Sequence, residues 1–585
     1  MSDQIAQVVH PNIEPPYPYR RGSGGLFRIV SSKDGDETEE WLCTDFTVLG
    51  TGCDSSNRNW GCIIAFSDPY GEEHKLFLSF AELTRSATKT LSRLSEHGMS
   101  FSRERGARNC VLDLLQTWKG TARFLITENR GWASSECDAF VLENGTIIGD
   151  RSVYYVGQPS SQSSVVTQPH DIASWKTAVG EKCVGNPILV SSVSLAFCGP
   201  LLDILEMDSF GLHLRGTSSS GKSTALRAAV SVWGGPDRMS SWLTTSNALE
   251  ATATGMNSTL LPLDELGQVS GKDAFEAAYM LGNGRGKSRS NSSGDGTPSA
   301  SWRVPILSSG ELTLAEKISE SGKNVKIGQE VRIIDVAADA GVHGVFDDLH
   351  GEVSPAIFAE GLKAGTISTY GVAGPKFVER CLQKKTDLKR ILGPIVSKHA
   401  RSFTSTLSET PDGPTQRVAA SLALIAVSGE VATLWDLTGW PRGAATAASL
   451  ALFEAWVDRR STLGGSSAVV WLKKLTEFIE GTLEHGFSPV GPQVSSNAFG
   501  FWDDTSLYLN NEAWCAAFGA SNLELAARAF TNHGSLVRDG NHNKAKAPRA
   551  TGSRDRYYRL RRANLGNRIK VLITAVEKPD PDLAA

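Results

Sequence analysis

The 585-residue chain has no C-x-x-C pair: its nine cysteines lie singly between Cys43 and Cys515. That spacing fits neither a zinc ribbon nor a disulfide framework. Reduced thiols in a cytoplasmic protein are expected. The opening stretch MSDQIAQVVHPNIEPPYPYRRGSGG has no apolar core, which excludes a secretory signal, and residues 1–24 read as a flexible leader. The longest apolar run, Ile188–Leu205, is broken by Gly199-Pro200 and carries Asp203, so it predicts a buried helix and no membrane partner. An excess of charge of one sign is also missing. The net charge of −4 leaves any contact with nucleic acid to local basic patches. With 40% hydrophobic and 21% charged residues, the composition excludes wholesale disorder or a fibrous repeat. The length predicts about three domains.

What is present reads as a multidomain chain. Short alternating apolar runs such as FRIV, WLCTDFTVLG, NWGCIIAF and KLFLSF, separated by turn signals, predict strands. Helical patterns in AELTRSATKTLSRLSEHG and around Asn109–Lys119 interrupt them, and RGWASSECDAFVLENGTIIG returns to alternation about an Asn144-Gly145 turn. An α+β N-terminal domain over 25–156 is expected, then a Ser/Gln-rich linker over 157–170. An α/β core is expected over 171–347 and a helical region over 348–465, the latter from QRVAASLALIAVSGEVATLW and GAATAASLALFEAWVDRR. Residues 466–585 show helix, helix, turn and basic hairpin, the order of a winged helix with a basic tail.

The stretch RGTSSSGKST fits G-x-x-x-x-G-K-[ST] through Gly216, Thr217, Ser218, Ser219, Ser220, Gly221, Lys222, Ser223 and Thr224. FGLHLRG before it predicts a strand and STALRAAVSVWG after it a helix, which is the context of a P-loop. Small residues let backbone N–H groups curl around phosphate, the helix N-terminus adds a positive dipole, and Lys222 neutralises the β and γ phosphates of ATP. Ser223 is expected to coordinate Mg²⁺. Ser219 and Lys222 also spell S-x-x-K, but the S-D-N and K-T-G partners of penicillin-binding enzymes are missing. Downstream, STLLPLDEL supplies Asp264, expected on a strand neighbouring the loop strand and holding Mg²⁺, and Glu265, placed to orient the attacking water. The strand SWRVPILSSGE ends in Ser308 and Ser309, where Ser309 either senses a γ-phosphate or closes a turn. Arg332 opens the strand that bears Asp335; it reads either as an arginine finger in a ring or as a plain surface arginine.

The stretches RGWASSECDAFVLENGTIIG, GLHLRGTSSSGKSTALRAAVSVWG, LLPLDELGQ, YMLGNGRGKSR, WRVPILSSGE, GQEVRIIDV and RVAASLALIAVSGE span Arg130–Glu430. Together they resemble the bacterial family catalogued as domain of unknown function 927, whose P-loop half is similar to AAA+ motors related to the MCM-type replicative helicases of mobile genetic elements. The resemblance implies an AAA+-like core with a helical lid and a homo-oligomeric ring of six subunits with ATP between neighbours. Arg332 would then act across the interface, and Arg417 would be a second arginine sensor, or else a solvated first-turn residue. Gly282–Trp302 lies where such motors carry a pore hairpin, so Lys287 and Arg289 are expected to meet DNA phosphates. A solvated loop is the other reading, and Arg285 or Arg289 as an active-site arginine a third. Lys544, Lys546 and Arg549 begin a basic run with Tyr557 and Tyr558 that suits phosphate contact with stacking, or else a regulatory wing. The expected function is an ATP-dependent helicase or translocase on single-stranded or forked DNA, serving replication of a phage, plasmid or integrated element. The rival is a nucleotide-dependent switch or scaffold.

Overall fold

The computed structural model describes residues 14–31, 36–157, 171–287, 289–290, 296–297, 299–321, 332–339, 342–407, 410–491, 499–519, 522–540, 542–551, 554–565 and 569. The expected linker falls almost wholly outside them. The chain divides into two compact units, Met1–Phe453 and Glu454–Ala585.

In the first unit, β1 (Tyr19–Gly22), β2 (Gly25–Ser31) and β3 (Glu37–Cys43) form an antiparallel sheet. Its first strand starts inside the stretch read as a leader, because Tyr19 is buried and its hydroxyl donates to Asp113 at 3.2 Å. Next come β4 (Phe46–Cys53), β5 (Gly61–Ser67) and β6 (Glu73–Ser79). The segment after β6, expected as one helix, is two, α1 (Phe80–Arg85) and α2 (Ala87–Glu96), because Ser86 leaves the helical region at φ −147°. After α3 (Ala107–Thr117) come β7 (Ala122–Thr127), the small sheet of β8 (Gly131–Trp132), β9 (Ala139–Val141) and β10 (Ile147–Gly149), and β11 (Val153–Tyr155). A five-stranded sheet of order β11-β7-β4-β5-β6 results. Phe46, Val48, Ile64 and Leu78 on its face pack with Leu94, Val111, Leu114 and Trp118.

The small sheet docks on the part of this unit beyond residue 170. Trp132 Nε1 donates to the Pro200 carbonyl at 3.0 Å, and Phe140 stacks on Trp233. Arg238 pairs with Glu143, both largely buried. Beyond α4 (Ile172–Trp175) and the apolar α5 (Pro187–Ile204) lie β12 (Gly211–Arg215), α6 (Lys222–Val230), β13 (Ser240–Ser241), α7 (Ser246–Gly255), β14 (Leu261–Asp264) and α8 (Gly271–Asn283). A short hairpin of β15 (Arg289–Ser290) and β16 (Gly296–Thr297) precedes β17 (Ile306–Gly310), α9 (Leu314–Ser319) and β18 (Ile333–Ala337). Five of these strands make a parallel sheet of order β13-β14-β17-β12-β18. Its central strands β12 and β17 are buried along almost their whole length, as strands covered on both faces must be. The acid-bearing strand does not neighbour the loop strand as expected: β17 sits between them and pairs with both. Lateral order in a parallel sheet is set by the crossover helices, and chain order does not reveal it.

Helices Pro355–Ser368, Ala373–Thr404 and Gly413–Leu434 complete this unit. α5 and Gly413–Leu434 are each long and apolar enough to cross a membrane, with mean hydropathy 1.7 and 1.5, yet 83% and 67% of those windows are buried inside the unit. The two helices approach so closely that a Cβ on Gly429 would lie 2.2 Å from Ser194 Oγ. Helix Ala444–Gly486 then runs for 43 residues across the boundary between the units. Separate helices on either side of the 465/466 boundary are expected from the sequence, and the structure joins them in one; a helix tolerates Gly464 and Gly465 at roughly 1 kcal/mol per glycine.

The second unit holds a sheet of order β19-β20-β21-β24-β22, made by β19 (Phe487–Pro489), β20 (Gly500–Trp502), β21 (Ser506–Leu509), β22 (Leu536–Val537) and β24 (Arg556–Arg561), with β23 (Ala545–Lys546) pairing β24. Helices Asn511–Phe518 and Leu523–Asn532 cover one face. Trp514 stacks on Tyr558 at 4.0 Å there, among Phe518, Phe530 and Leu560.

Candidate functional site

At the C-terminal edge of the parallel sheet, where α/β folds place their ligands, three strand ends converge. β12 ends at Arg215, and the chain turns through Gly216–Gly221 into α6. The turn requires left-handed backbone at Ser219, φ 65°, and at Gly221, φ 91°. A side chain at Gly221 would also meet Val345 Cγ2 at 2.5 Å. Val345 belongs to a tight turn, His343–Phe346, and its N–H donates to the Ser220 carbonyl at 2.9 Å. That turn is itself held from behind. Buried Asn186 accepts from the N–H groups of Asp347 at 2.7 Å and Asp348 at 2.9 Å, and donates to the Asp348 carbonyl at 2.9 Å.

The first turn of α6 has no side-chain cap, so its N–H groups face the cleft as donors without helical acceptors. Lys222 Nζ donates to the carbonyls of Gly216 at 2.8 Å and Thr217 at 2.6 Å. Burial lowers its pKa below the ordinary lysine value, against the pull of Glu311, Asp264 and Asp339. Ser223 Oγ donates to Asp264 Oδ2 at 3.1 Å. The other carboxylate oxygen of Asp264 accepts from the Ser309 hydroxyl and from the Glu265 N–H. Glu265 itself is exposed and left-handed at φ 61°, and its N–H also reaches Ser309 Oγ at 3.3 Å.

The interposed strand explains why Ser309 and not Ser308 faces this group. Neighbouring strand residues point to opposite faces, and Ser308 Oγ is taken up by buried His213 Nδ1 at 2.8 Å and Trp242 Nε1 at 2.8 Å. His213 Nε2 lies 2.9 Å from the Leu312 carbonyl. A carbonyl only accepts, so a neutral ring carries its proton on Nε2 and accepts from Ser308 at Nδ1.

The cleft has a volume of 1010 Å³ and runs from Ser218–Thr224, Asp264, Glu265 and Ser309 to Glu311, Lys317, His343, Phe346 and the first turns of helix Pro355–Ser368. Its composition fits a magnesium nucleotide. The hydroxyl of Ser223 and the carboxylate of Asp264 are hard oxygen donors in its wall, beside the cationic Lys222 and the uncapped helix N–H groups.

Residues 20–300 match the family described as Domain of unknown function (DUF927). The match covers just under half of the chain. No curated protein matches the chain. Among solved structures, one described as "SCCmec type IV Cch - active helicase" is similar with a TM-score of 0.63 and 16% identity, over 95% of this chain and 99% of that one. At such identity the likeness establishes a shared fold.

The matched stretch contains the loop, Asp264 and Glu265, and ends before Ser309, the His343–Phe346 turn and the helix Pro355–Ser368. Apart from Ser309, which the strand SWRVPILSSGE points to, those later contributors carry no motif; Glu311, Lys317, His343 and Phe346 were missed because only folding brings them to the loop. Arg332 precedes β18, so it lies at the opposite edge of the sheet, about 16 Å of strand away. Its guanidinium donates to Asn283 Oδ1 at 2.5 Å. Arg417 is exposed early in helix Gly413–Leu434, away from the cleft lining. Within the matched stretch, Lys287 pairs with Glu276 at 3.5 Å. Arg289 stands in the β15–β16 hairpin, and its side chain lies outside the described residues. In the second unit, Lys544 Nζ lies 5.2 Å from the Tyr558 ring centre, Lys546 is exposed in β23, and Arg549 opens a short turn.

Proposed function

We propose that the chain is an ATP-dependent DNA helicase or translocase that works as a six-membered ring and supports replication of a mobile genetic element. The observation that carries this reading is the meeting of Lys222, Ser223, Asp264 and Ser309 at one sheet edge, with Ser223 and Asp264 at 3.1 Å and Ser309 bonded to the same carboxylate. Lys222 and the amides of the Gly216–Thr224 loop bind the phosphates. Ser223 and Asp264 hold Mg²⁺, which when bound neutralises phosphate charge. Ser309 orients Asp264, and Glu265 orients the attacking water.

Other regions of the chain take roles in the same motor. Residues 348–465 act as a lid bearing Arg417, and residues 466–585 as a winged helix. Arg332 stands too far from its own loop to reach it, which favours a role toward the nucleotide of a neighbouring subunit. Lys287 and Arg289 contact single-stranded or forked DNA in the pore, and Lys544, Lys546 and Arg549 contact it at the wing.

Glu265→Gln is expected to cut ATP turnover by about 100-fold or more while nucleotide still binds, and to leave the protein trapped on single-stranded DNA. Steady-state hydrolysis with and without DNA, and strand displacement on a forked duplex, measure this. Purified protein that binds no ATP refutes the whole proposal. Slow turnover indifferent to DNA, with no strand displacement, makes the chain a nucleotide-dependent switch or scaffold instead.

A further inference from the structure

The basic run near the C-terminus is divided by the fold between two faces of one sheet. In β24, Tyr558 and Leu560 enter the core with Trp514 and Leu536. Lys544 covers that side, over the Tyr558 ring. Alternation turns Arg559 and Arg561 to the other face, opposite Tyr508 and Ser506 of β21. There the two arginines and Arg562 line a cleft of 830 Å³, together with Asp504, Thr505 and Ser506.

Arg559 is set in place on this face. Its Nε donates to Ser506 Oγ at 3.0 Å, and its guanidinium carbon stands 5.6 Å from the centre of the Tyr508 ring. Arg561 is exposed one pleat further along. Among the described residues, no carboxylate forms an ion pair with Arg559 or Arg561; Asp504 contributes the cleft's one acidic side chain. Like charges packed side by side on a sheet face oppose folding, a cost that a bound polyanion would offset. Guanidiniums at alternate residues start about 6.6 Å apart, a spacing suited to anions repeated along a chain and not to one phosphate at a single point.

We propose that this cleft binds the phosphodiester backbone of a nucleic acid, with Arg559 and Arg561 on successive phosphates and the Thr505 and Ser506 hydroxyls beside them. The contact reads no base, since backbone contacts position and do not specify. It rests on the reading of DNA as the partner, and it adds a second surface on the face opposite Lys544.

The test is fluorescence anisotropy of the full chain with labelled single-stranded and forked DNA across a salt series, comparing wild type, Arg561→Glu and Arg559→Ala plus Arg561→Ala. Arg561 is exposed, so Arg561→Glu keeps the test informative if the double variant unfolds, as thermal melting will show. The expected result is at least about tenfold weaker binding by the double variant, with a log–log salt slope shallower by about 1.4 to 1.8 for two lost phosphate contacts. If wild type binds no DNA, the proposed function falls and this inference with it. Should wild type bind and both variants match it in affinity and slope, this inference alone is overturned. Tripolyphosphate that displaces DNA at equal phosphate concentration, and no longer does so in Arg561→Glu, would reassign the cleft to a free polyphosphate.

Discussion

At the scale of single residues, Asp203 shows what burial does to a charge. Its carboxylate accepts from Ser258 Oγ at 2.7 Å and pairs with Arg303 at 3.3 Å, yet burial still raises its pKa above the ordinary carboxylate value. A raised folded-state value means that the folded chain holds this proton more tightly than the unfolded chain. The stabilisation is complete below the unfolded value and is lost as pH rises through the folded one. Urea unfolding of wild type and Asp203→Asn should therefore show wild type losing stability relative to the variant as pH climbs from the ordinary carboxylate value. Parallel pH profiles would refute the shift. Motif residues were legible because their chemistry is local: Lys222, Ser223, Asp264 and Glu265 all stand around one cleft. Ser309 was named from the strand end; what no local pattern shows is the reason Ser308 turns away, which is that His213 and Trp242 hold it on the other side of β17.

At the scale of elements, the glycine loop depends on a turn more than a hundred residues later. Asn186 fixes Asp347 and Asp348, and the adjoining turn fixes Ser220 through Val345. Asn186→Ala removes three hydrogen bonds to the backbone of Asp347 and Asp348 and should cost about 1–3 kcal/mol of stability. It should also raise KM for ATP with little change in kcat, because the loop is displaced while Glu265 and Asp264 are not. Asn186→Asp keeps the acceptor for both N–H groups and should recover most of the affinity. Equal KM values in wild type and Asn186→Ala would show that the turn does not set the loop. Neither this staple nor the position of β17 between β12 and β14 leaves a local pattern in the chain. Strand, loop and helix around Lys222 were readable from periodicity; their lateral order was a matter of crossovers.

At the scale of the whole molecule, the two compact units have separate cores, one built on the sheets around β4 and β12 and one around Trp514 and Tyr558. Calorimetry should resolve more than one unfolding transition, as multidomain chains depart from two-state behaviour. Mg-ATP at a hundred times its Kd should stabilise the first unit by about 2.7 kcal/mol and leave the transition of the second unit in place. One transition that moves as a whole would contradict this division.

The pairing of α5 with helix Gly413–Leu434 also constrains how the chain is made. About two hundred residues separate the end of one helix from the start of the other, and at ribosomal speeds of about 5–20 residues per second the earlier helix waits roughly 10–40 s for its cover. Throughout that interval one of the most oily segments of the nascent polypeptide lacks its final neighbour, so chaperone supply during translation should govern how much soluble protein a cell accumulates.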